Sequence, residues 1–329
     1  MEIFKFKKLF DTRYGENPHQ KGAFFIDPKN KDKLAIQKFK KLQGKEISFN
    51  NLLDIDAIIG ALSELGEQKP VCVIVKHGNP CGAAYGKNSK DAFLRAWYKG
   101  DSLAAFGGVM AINRTVDEKL AKLMVKNFFE VLLAPKVENS ALKIFSKKKN
   151  LIILINPALR NPKQSKEKDI KKIRGGFLMQ DPDLKEIKER DLKFVTDAKP
   201  TKKQIKDLLF AWKICRVSKS NAIVLVKDEI LISSGVGQQD RKRCCKLAII
   251  KADRNANPTG ISSRSYGARN TVAASDGFFP FTDGPAVLFK AGVKAVIEPG
   301  GSIKDNDVIK FFNKHKIPLV FTGIRCFKH

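Results

Sequence analysis

The sequence predicts an α/β protein built from two like halves, and three observations carry that prediction. Short β-branched and aliphatic runs alternate with longer amphipathic stretches. Glycine- and proline-rich turns close most of those runs. One strand-helix-strand-helix-strand order occurs twice, through residues 109–113, 131–135 and 151–155 and again through 272–275, 295–299 and 319–321. At 329 residues two domains are expected, with a first half at 1–165, a connecting segment at 166–200 and a second half at 201–329. A cleft between such halves is the expected place for a small molecule.

The first informative stretch is residues 11–20, where turn chemistry carries Arg13, Tyr14 and His19. A guanidinium beside a phenol suits an anion or a planar ring, and it equally suits a capped loop that ties down the chain start. Asn50 or Asn51 is then placed to cap a helix whose apolar positions are Leu52, Leu53, Ile55, Ile58, Ile59 and Leu62. Residues 71–75 read Val-Cys-Val-Ile-Val, a buried strand, and deliver Lys76-His77 onto a turn of Gly78, Asn79, Pro80, Cys81 and Gly82. In open α/β sheets ligands sit beyond the ends of strands, so a cation and an imidazole on such a turn mark a candidate catalytic site.

Residues 91–98 are expected to be helical, followed by Gly107-Gly108 and a strand to Asn113. A helix over 116–129, a strand over 130–135, a helix over 140–148 and a strand over 151–155 complete the first half. Residues 157–200 are rich in Lys, Asp and Pro, with one element near 173–180. The second half opens with a helix over 202–218, then a hairpin of 221–226 and 230–234 across Lys227-Asp228-Glu229. A helix to about Ala252 follows the turn at 235–241, whose glycines do not form a dinucleotide fingerprint. The aromatic loop Phe278-Phe279-Pro280-Phe281 is expected to wall a pocket, with a helix over 285–291, a strand over 295–298 and a helix over 305–314 after it. Leu319-Val320-Phe321 is the last strand, ahead of the tail 325–329.

Composition excludes several classes. No apolar run approaches the roughly 20 residues of a bilayer span, and residues 1–8 lack a signal-peptide core, so a cytoplasmic protein is expected. The six cysteines show no framework spacing and read as reduced, buried thiols. The net charge of +28 is spread over every predicted helix and loop, which favours solvated faces over a nucleic-acid stripe and still helps to steer a small anion.

Taken together, residues 13–20, 48–54, 76–82, 106–113, 130–135, 219–222, 235–241, 274–281, 295–308 and 325–329 resemble, in order, the transformylase half of the AICAR transformylase/IMP cyclohydrolase family. The resemblance implies two cytidine-deaminase-like, three-layer α/β/α subdomains related by duplication. It also implies transfer of a formyl group from 10-formyltetrahydrofolate to the 5-amino group of aminoimidazole-carboxamide ribonucleotide (AICAR), in a homodimer with sites at the interface. By motif, Lys76, His77 and Asn221 take the catalytic roles. Arg13, Tyr14, Gly107, Glu130, Arg241, Phe278, Arg325 and Phe327 fall to the nucleotide, and Asn51, Phe279 and Pro299 to the folate. No metal centre is implied, although a structural potassium ion is allowed for.

Two departures stand out. The family's preceding cyclohydrolase region is absent from these 329 residues, so ring closure is expected from another protein or from the rest of a longer chain. Residues 253–269 lack the family's usual pattern, and Gly277 stands where alanine is usual, a change expected to matter little.

Two rivals are weighed against this. A zinc deaminase needs H-x-E and P-C-x-x-C, whereas His77 has no Glu two residues on and Pro80-Cys81 has no second Cys. A non-catalytic nucleic-acid module would not need Lys76, His77 and Asn221.

Overall fold

The structure, a computed structural model, describes residues 5–66, 68–256 and 267–329. In the first half the strands are β1 (Lys7–Asp11), β2 (Ala23–Ile26), β3 (Lys40–Gln43), β4 (Val71–Lys76), β5 (Asn79–Tyr85), β6 (Val109–Ile112), β7 (Val131–Ala134) and β8 (Ile152–Ile155). Its helices are α1 (Phe49–Leu65), α2 (Ser89–Tyr98), α3 (Ser102–Ala105), α4 (Glu118–Met124) and α5 (Asn139–Phe145). The connection carries β9 (Asp169–Ile173), β10 (Gly176–Gln180) and β11 (Lys193–Phe194). The second half contains α6 (Lys202–Arg216), β12 (Ile223–Lys227), β13 (Ile230–Gly235), α7 (Arg241–Ala256), β14 (Val272–Ser275), α8 (Asp283–Lys290), β15 (Ala295–Glu298), α9 (Asp305–Lys314) and β16 (Leu319–Phe321).

A single twelve-stranded sheet runs through both halves in the order β11-β16-β15-β14-β12-β13-β5-β4-β6-β7-β8-β3. From the middle outwards the two halves match. A hairpin (β4–β5, β12–β13) is followed by an antiparallel neighbour (β6, β14), two parallel strands (β7 and β8, β15 and β16) and an antiparallel edge (β3, β11). The halves meet edge to edge where Ile230 pairs with Ala84, not across a cleft as expected. The capping is repeated as well, with Ser48 and Asn51 boxing the start of α1 and Thr201 and Gln204 that of α6. Asn50 and Asn51 therefore do not supply the N-cap; Ser48 does.

Strand periodicity splits the interior into two layers. Val71, Val73 and Val75 face α1 and α6, in one cluster with Ile55, Leu62, Leu208 and Trp212. Cys72 and Ile74 face the other side, where α2, α4, α5, α7, α8 and α9 contribute Phe93, Met124, Phe145, Ala248, Leu288 and Phe312. Each Val, Leu, Ile, Phe or Met side chain taken fully from water contributes about 2 kcal/mol, so this three-layer packing holds both halves to one sheet.

Several elements differ from expectation. The turn after β4 is only two residues long: His77 and Gly78 have φ of +54° and +72°, the signature of a type I′ hairpin, and glycine suits the second position. Asn79 to Gly82 belong to β5, and Pro80 is tolerated there beside a register shift in the β4 pairing. The helix expected over 116–129 is confined to α4, capped by Asp117. The connection holds the β9–β10 hairpin and the edge strand β11, and most of the stretch at 253–269 lies outside the described residues.

Candidate active site

The register places the predicted site residues at one end of the sheet. β4 runs towards that end and delivers Lys76-His77 to it; β6 and β7 begin there, just after Gly107 and Glu130, because Val75 pairs with Val109 and Val109 with Val131. In the second half β12 starts there after Asn221, and β14, β15 and β16 finish there, ahead of the aromatic loop, Pro299 and the tail. The loop with Arg13 and Tyr14 reaches the same end, since Asn50 Nδ2 donates to the Glu16 carbonyl at 3.1 Å.

The His77 turn is held on several sides. Its exposed imidazole stands on a backbone whose carbonyl accepts from Asn79 Nδ2 at 3.0 Å. Asn79 Oδ1 in turn accepts the Lys219 N–H at 2.9 Å, which seats the turn on residues 219–221 of the other half. The Lys76 ammonium donates to the Phe106 carbonyl at 2.7 Å, next to Gly107, and the Phe106 and Phe128 rings pack with centroids 4.9 Å apart.

Asn221 sits in a buried polar network. Its Nδ2 donates to the Gln238 carbonyl at 2.8 Å, and its Oδ1 accepts from Arg241 Nη2 at 2.5 Å. Arg241, 8% exposed at the start of α7, also donates through Nη1 to Ser275 Oγ at 2.8 Å and Asp276 Oδ1 at 2.5 Å. Asp276 further accepts from Ser220 Oγ, and the tail closes over this group: Lys328 N donates to Ser220 Oγ at 3.1 Å and Cys326 N to the Asp276 carbonyl at 3.0 Å. The guanidinium is thus paired with a carboxylate and bonded to the Asn221 amide oxygen. Arg325 on the tail and Arg13 are both exposed, with guanidinium groups 4.9 Å from the Phe327 centroid and 5.4 Å from that of Tyr14.

Three further residues predicted for the site, Phe279, Pro299 and Asn51, are buried. Phe279 is 1% exposed and packs in the core, while Phe278 beside it is 40% exposed; alternate residues of the loop face opposite ways. Pro299 is buried, and its carbonyl accepts the Gly323 N–H at 3.0 Å. Asn51, buried as well, donates to Glu130 Oε2 at 3.3 Å, and that carboxylate also pairs with Lys45 at 3.1 Å. Glu130 lines a cavity of about 520 Å³ with Phe128, Lys45 and residues 147–149. A cavity of about 860 Å³ beside Tyr85 and Glu229 contains none of the predicted site residues.

Gly277 matters more than expected. A Cβ there would lie 2.6 Å from the Phe327 ring and 2.8 Å from Arg241 Nη2, so glycine is what lets both approach. Sequence reasoning gave no role to Ser220, Asp276 or Glu298. Glu298 is fully buried, with Oε2 accepting the Phe279 N–H at 2.7 Å and Oε1 unpartnered. Burial pushes its carboxyl up to about 8, against the opposing pull of the Phe279 N–H. Among the described residues no group of three or more His, Cys, Asp or Glu side chains could hold a metal ion.

This geometry defines a two-halved α/β protein with a polar site at one end of a shared sheet. The chain belongs to the AICARFT/IMPCHase bienzyme family, whose model matches residues 2–251. It is 42% identical to the bifunctional purine biosynthesis protein PurH of Magnetococcus marinus over 325 residues, which is 99% of this chain and 60% of that protein. It is 44% identical to the protein of that name from Thermoanaerobacter sp. over 326 residues, again 99% and 60%, and 41% identical to that of Aquifex aeolicus over 328 residues, 100% and 61%. The chain therefore spans about 60% of the length of these curated relatives.

Proposed function

We propose that this chain is a formyltransferase that moves the formyl group of 10-formyltetrahydrofolate onto the 5-amino group of AICAR, giving the formamido ribonucleotide of purine biosynthesis. The observation that carries this is the seating of the Lys76-His77 turn on residues 219–221 through Asn79 and Lys219, within a chain of this family. That contact brings an imidazole, an ammonium and the Asn221 amide from two halves to one end of the sheet.

An amine conjugated to a ring carboxamide is a weak nucleophile and must lose a proton as it attacks the formyl carbon. His77 accepts that proton and returns it to the departing folate nitrogen as the C–N bond breaks. The carbonyl oxygen becomes an oxyanion in between. Lys76 has three N–H donors, one of them on Phe106, and Asn221 Nδ2 has two, one of them on Gln238, so each has capacity left for that charge. Arg13 and Arg325 suit the phosphate; Tyr14, Phe278 and Phe327 offer exposed or half-exposed faces to planar rings; Gly107, Glu130, Asn51 and Pro299 shape the surroundings. Arg241 holds Asn221, and Phe279 takes no direct part.

The finer architecture belongs to the same proposal. The repeated strand order and capping support two cytidine-deaminase-like subdomains at 1–165 and 201–329 joined by 166–200. A homodimer is supported by the β9–β10 hairpin, which exposes Ile170, Ile173, Phe177, Leu178 and Met179 over both its faces and needs a covering surface. The six free, buried cysteines fit a reducing cytoplasm, and no helix among the described residues is long and apolar enough to cross a membrane.

The test is purified chain with AICAR and 10-formyltetrahydrofolate, following tetrahydrofolate release and the ribonucleotide products. Formylated ribonucleotide should accumulate until a cyclohydrolase is added. Stoichiometric zinc with deamination, or salt-sensitive nucleic-acid binding without formyl transfer, would replace this reading with one of its rivals.

A further inference from the structure

We infer that Asp54 is a positioning residue for the His77 turn, an inference that rests on the formyl transfer proposed above. Asp54 is the sixth residue of α1 and is half-buried. Its Oδ1 accepts the Gly78 N–H at 2.6 Å and its Oδ2 accepts the His77 N–H at 3.3 Å. In a two-residue hairpin those two N–H groups point away from the ladder and are ordinarily left to water. Here one carboxylate takes both, in charge-assisted bonds to a turn in which a non-glycine residue has φ of +54°. That φ sets the direction of the His77 Cα–Cβ bond, so α1 determines where the imidazole points.

The second half contains the same device. Asp207, the sixth residue of α6, accepts the N–H groups of Asp228 at 3.0 Å and Glu229 at 2.6 Å, on a turn whose φ values are +55° and +54°. There the clamped turn carries no imidazole. The clamp therefore belongs to the shared architecture, and only in the first half does it act on chemistry. Asp207 is a built-in control for any stability that the carboxylate contributes.

The experiment compares Asp54→Ala, Asp54→Asn and Asp207→Ala in steady-state formyl transfer, with the first also made in a His77→Ala background. Misplacing a reacting group by about 1 Å costs about 100-fold, so Asp54→Ala should lower kcat by about 10- to 100-fold with the KM for AICAR nearly unchanged. Asp54→Asn keeps one acceptor and should lie between it and the parent. Asp207→Ala should lower the unfolding midpoint as Asp54→Ala does and leave kcat alone. In the His77→Ala background the loss of Asp54 should cost no further rate, because it acts through that residue. The inference is overturned if both Asp54 variants keep the parental kcat, or if Asp54→Ala slows the His77→Ala protein by the same factor as the parent. If Asp54→Ala does not fold, Asp54→Asn and its His77→Ala double variant decide on the same criteria. An inactive parent protein would instead remove the formyl-transfer reading itself.

Discussion

The His77-Gly78 and Asp228-Glu229 turns share their backbone conformation, their carboxylate clamp and their place between two strands, and they face opposite ends of the sheet. The opposition follows from the antiparallel pairing of β5 with β13, which turns one half over relative to the other. What surrounds the turns then differs. Around Asp228 and Glu229 the neighbours compensate them: Lys203 pairs with Asp228, Arg95 donates to its carbonyl, and Lys69 pairs with Glu229 at 2.8 Å. At the other end the C-terminal tail and Arg241 arrive, and His77 stands exposed.

The strand ends repeat the contrast. After β6, Asn113 N donates to the Val71 carbonyl at 3.3 Å; after β14, Asp276 N donates to that of Ala222 at 3.2 Å. The Asn113 side chain is spent on the start of β4, bonding Val71 N and the Lys69 carbonyl, both at 2.9 Å. The Asp276 side chain is spent on Arg241 and Ser220, and so on holding Asn221. One scaffold thus carries a charge-compensated turn at one end and the exposed His77 turn at the other, and a few side chains account for the difference.

The largest effect expected from breaking that contrast is at His77. His77→Ala should lower kcat by about 10²- to 10⁴-fold with AICAR affinity, measured by titration calorimetry, largely kept, whereas Glu229→Ala should leave kcat unchanged. Asn221→Ala should lower kcat by about 10²- to 10³-fold, the usual loss for one oxyanion donor, in the same assay; Asn113→Ala, at the other end, should reduce stability only. The two ends also differ in pH response. Strand β15 ends in buried Glu298 where its counterpart β7 ends in Ala134. With the Glu298 carboxyl raised from 4.5 to about 8, the folded state keeps a proton that the unfolded state releases, so stability falls as pH rises through that window and levels off above it. Glu298→Gln does not titrate, and its advantage over the parent in chemical denaturation should grow from pH 5 to about 4 kcal/mol by pH 8. The smallest change is Gly277→Ala, which should cost about 1–3 kcal/mol by overpacking against Phe327 and Arg241, read as a lower thermal midpoint.

Much of the fold was legible because its central strands are continuous apolar runs, such as 71–75, 131–134 and 223–226, bounded by turn residues. Strand β5 was not, because Pro80, Cys81, Gly82, Ala83 and Ala84 have little β-propensity, and its position between β4 and β13 is what makes it a strand. Strands β3 and β9 were missed because edge and hairpin strands are polar. In the site, Lys76-His77 was visible as a local motif. The side-chain partners in the site are long-range: Asp54, which bonds the His77 N–H, lies 23 residues before it, and Asp276 lies 35 after Arg241, which bonds Asn221. Comparing the two halves position by position would have exposed Asp54, since Asp207 repeats it at the sixth residue of the matching helix. Nothing in the sequence separates exposed Phe278 from buried Phe279, which only the path of the loop decides.

Amide hydrogen exchange with AICAR and 10-formyltetrahydrofolate bound tests most directly whether function resides at the His77 end alone. Slower exchange at residues 77–79, 219–222 and 325–328, with no change at Tyr85 and 228–230, is the result expected. Protection confined to Tyr85 and 228–230 would contradict the account.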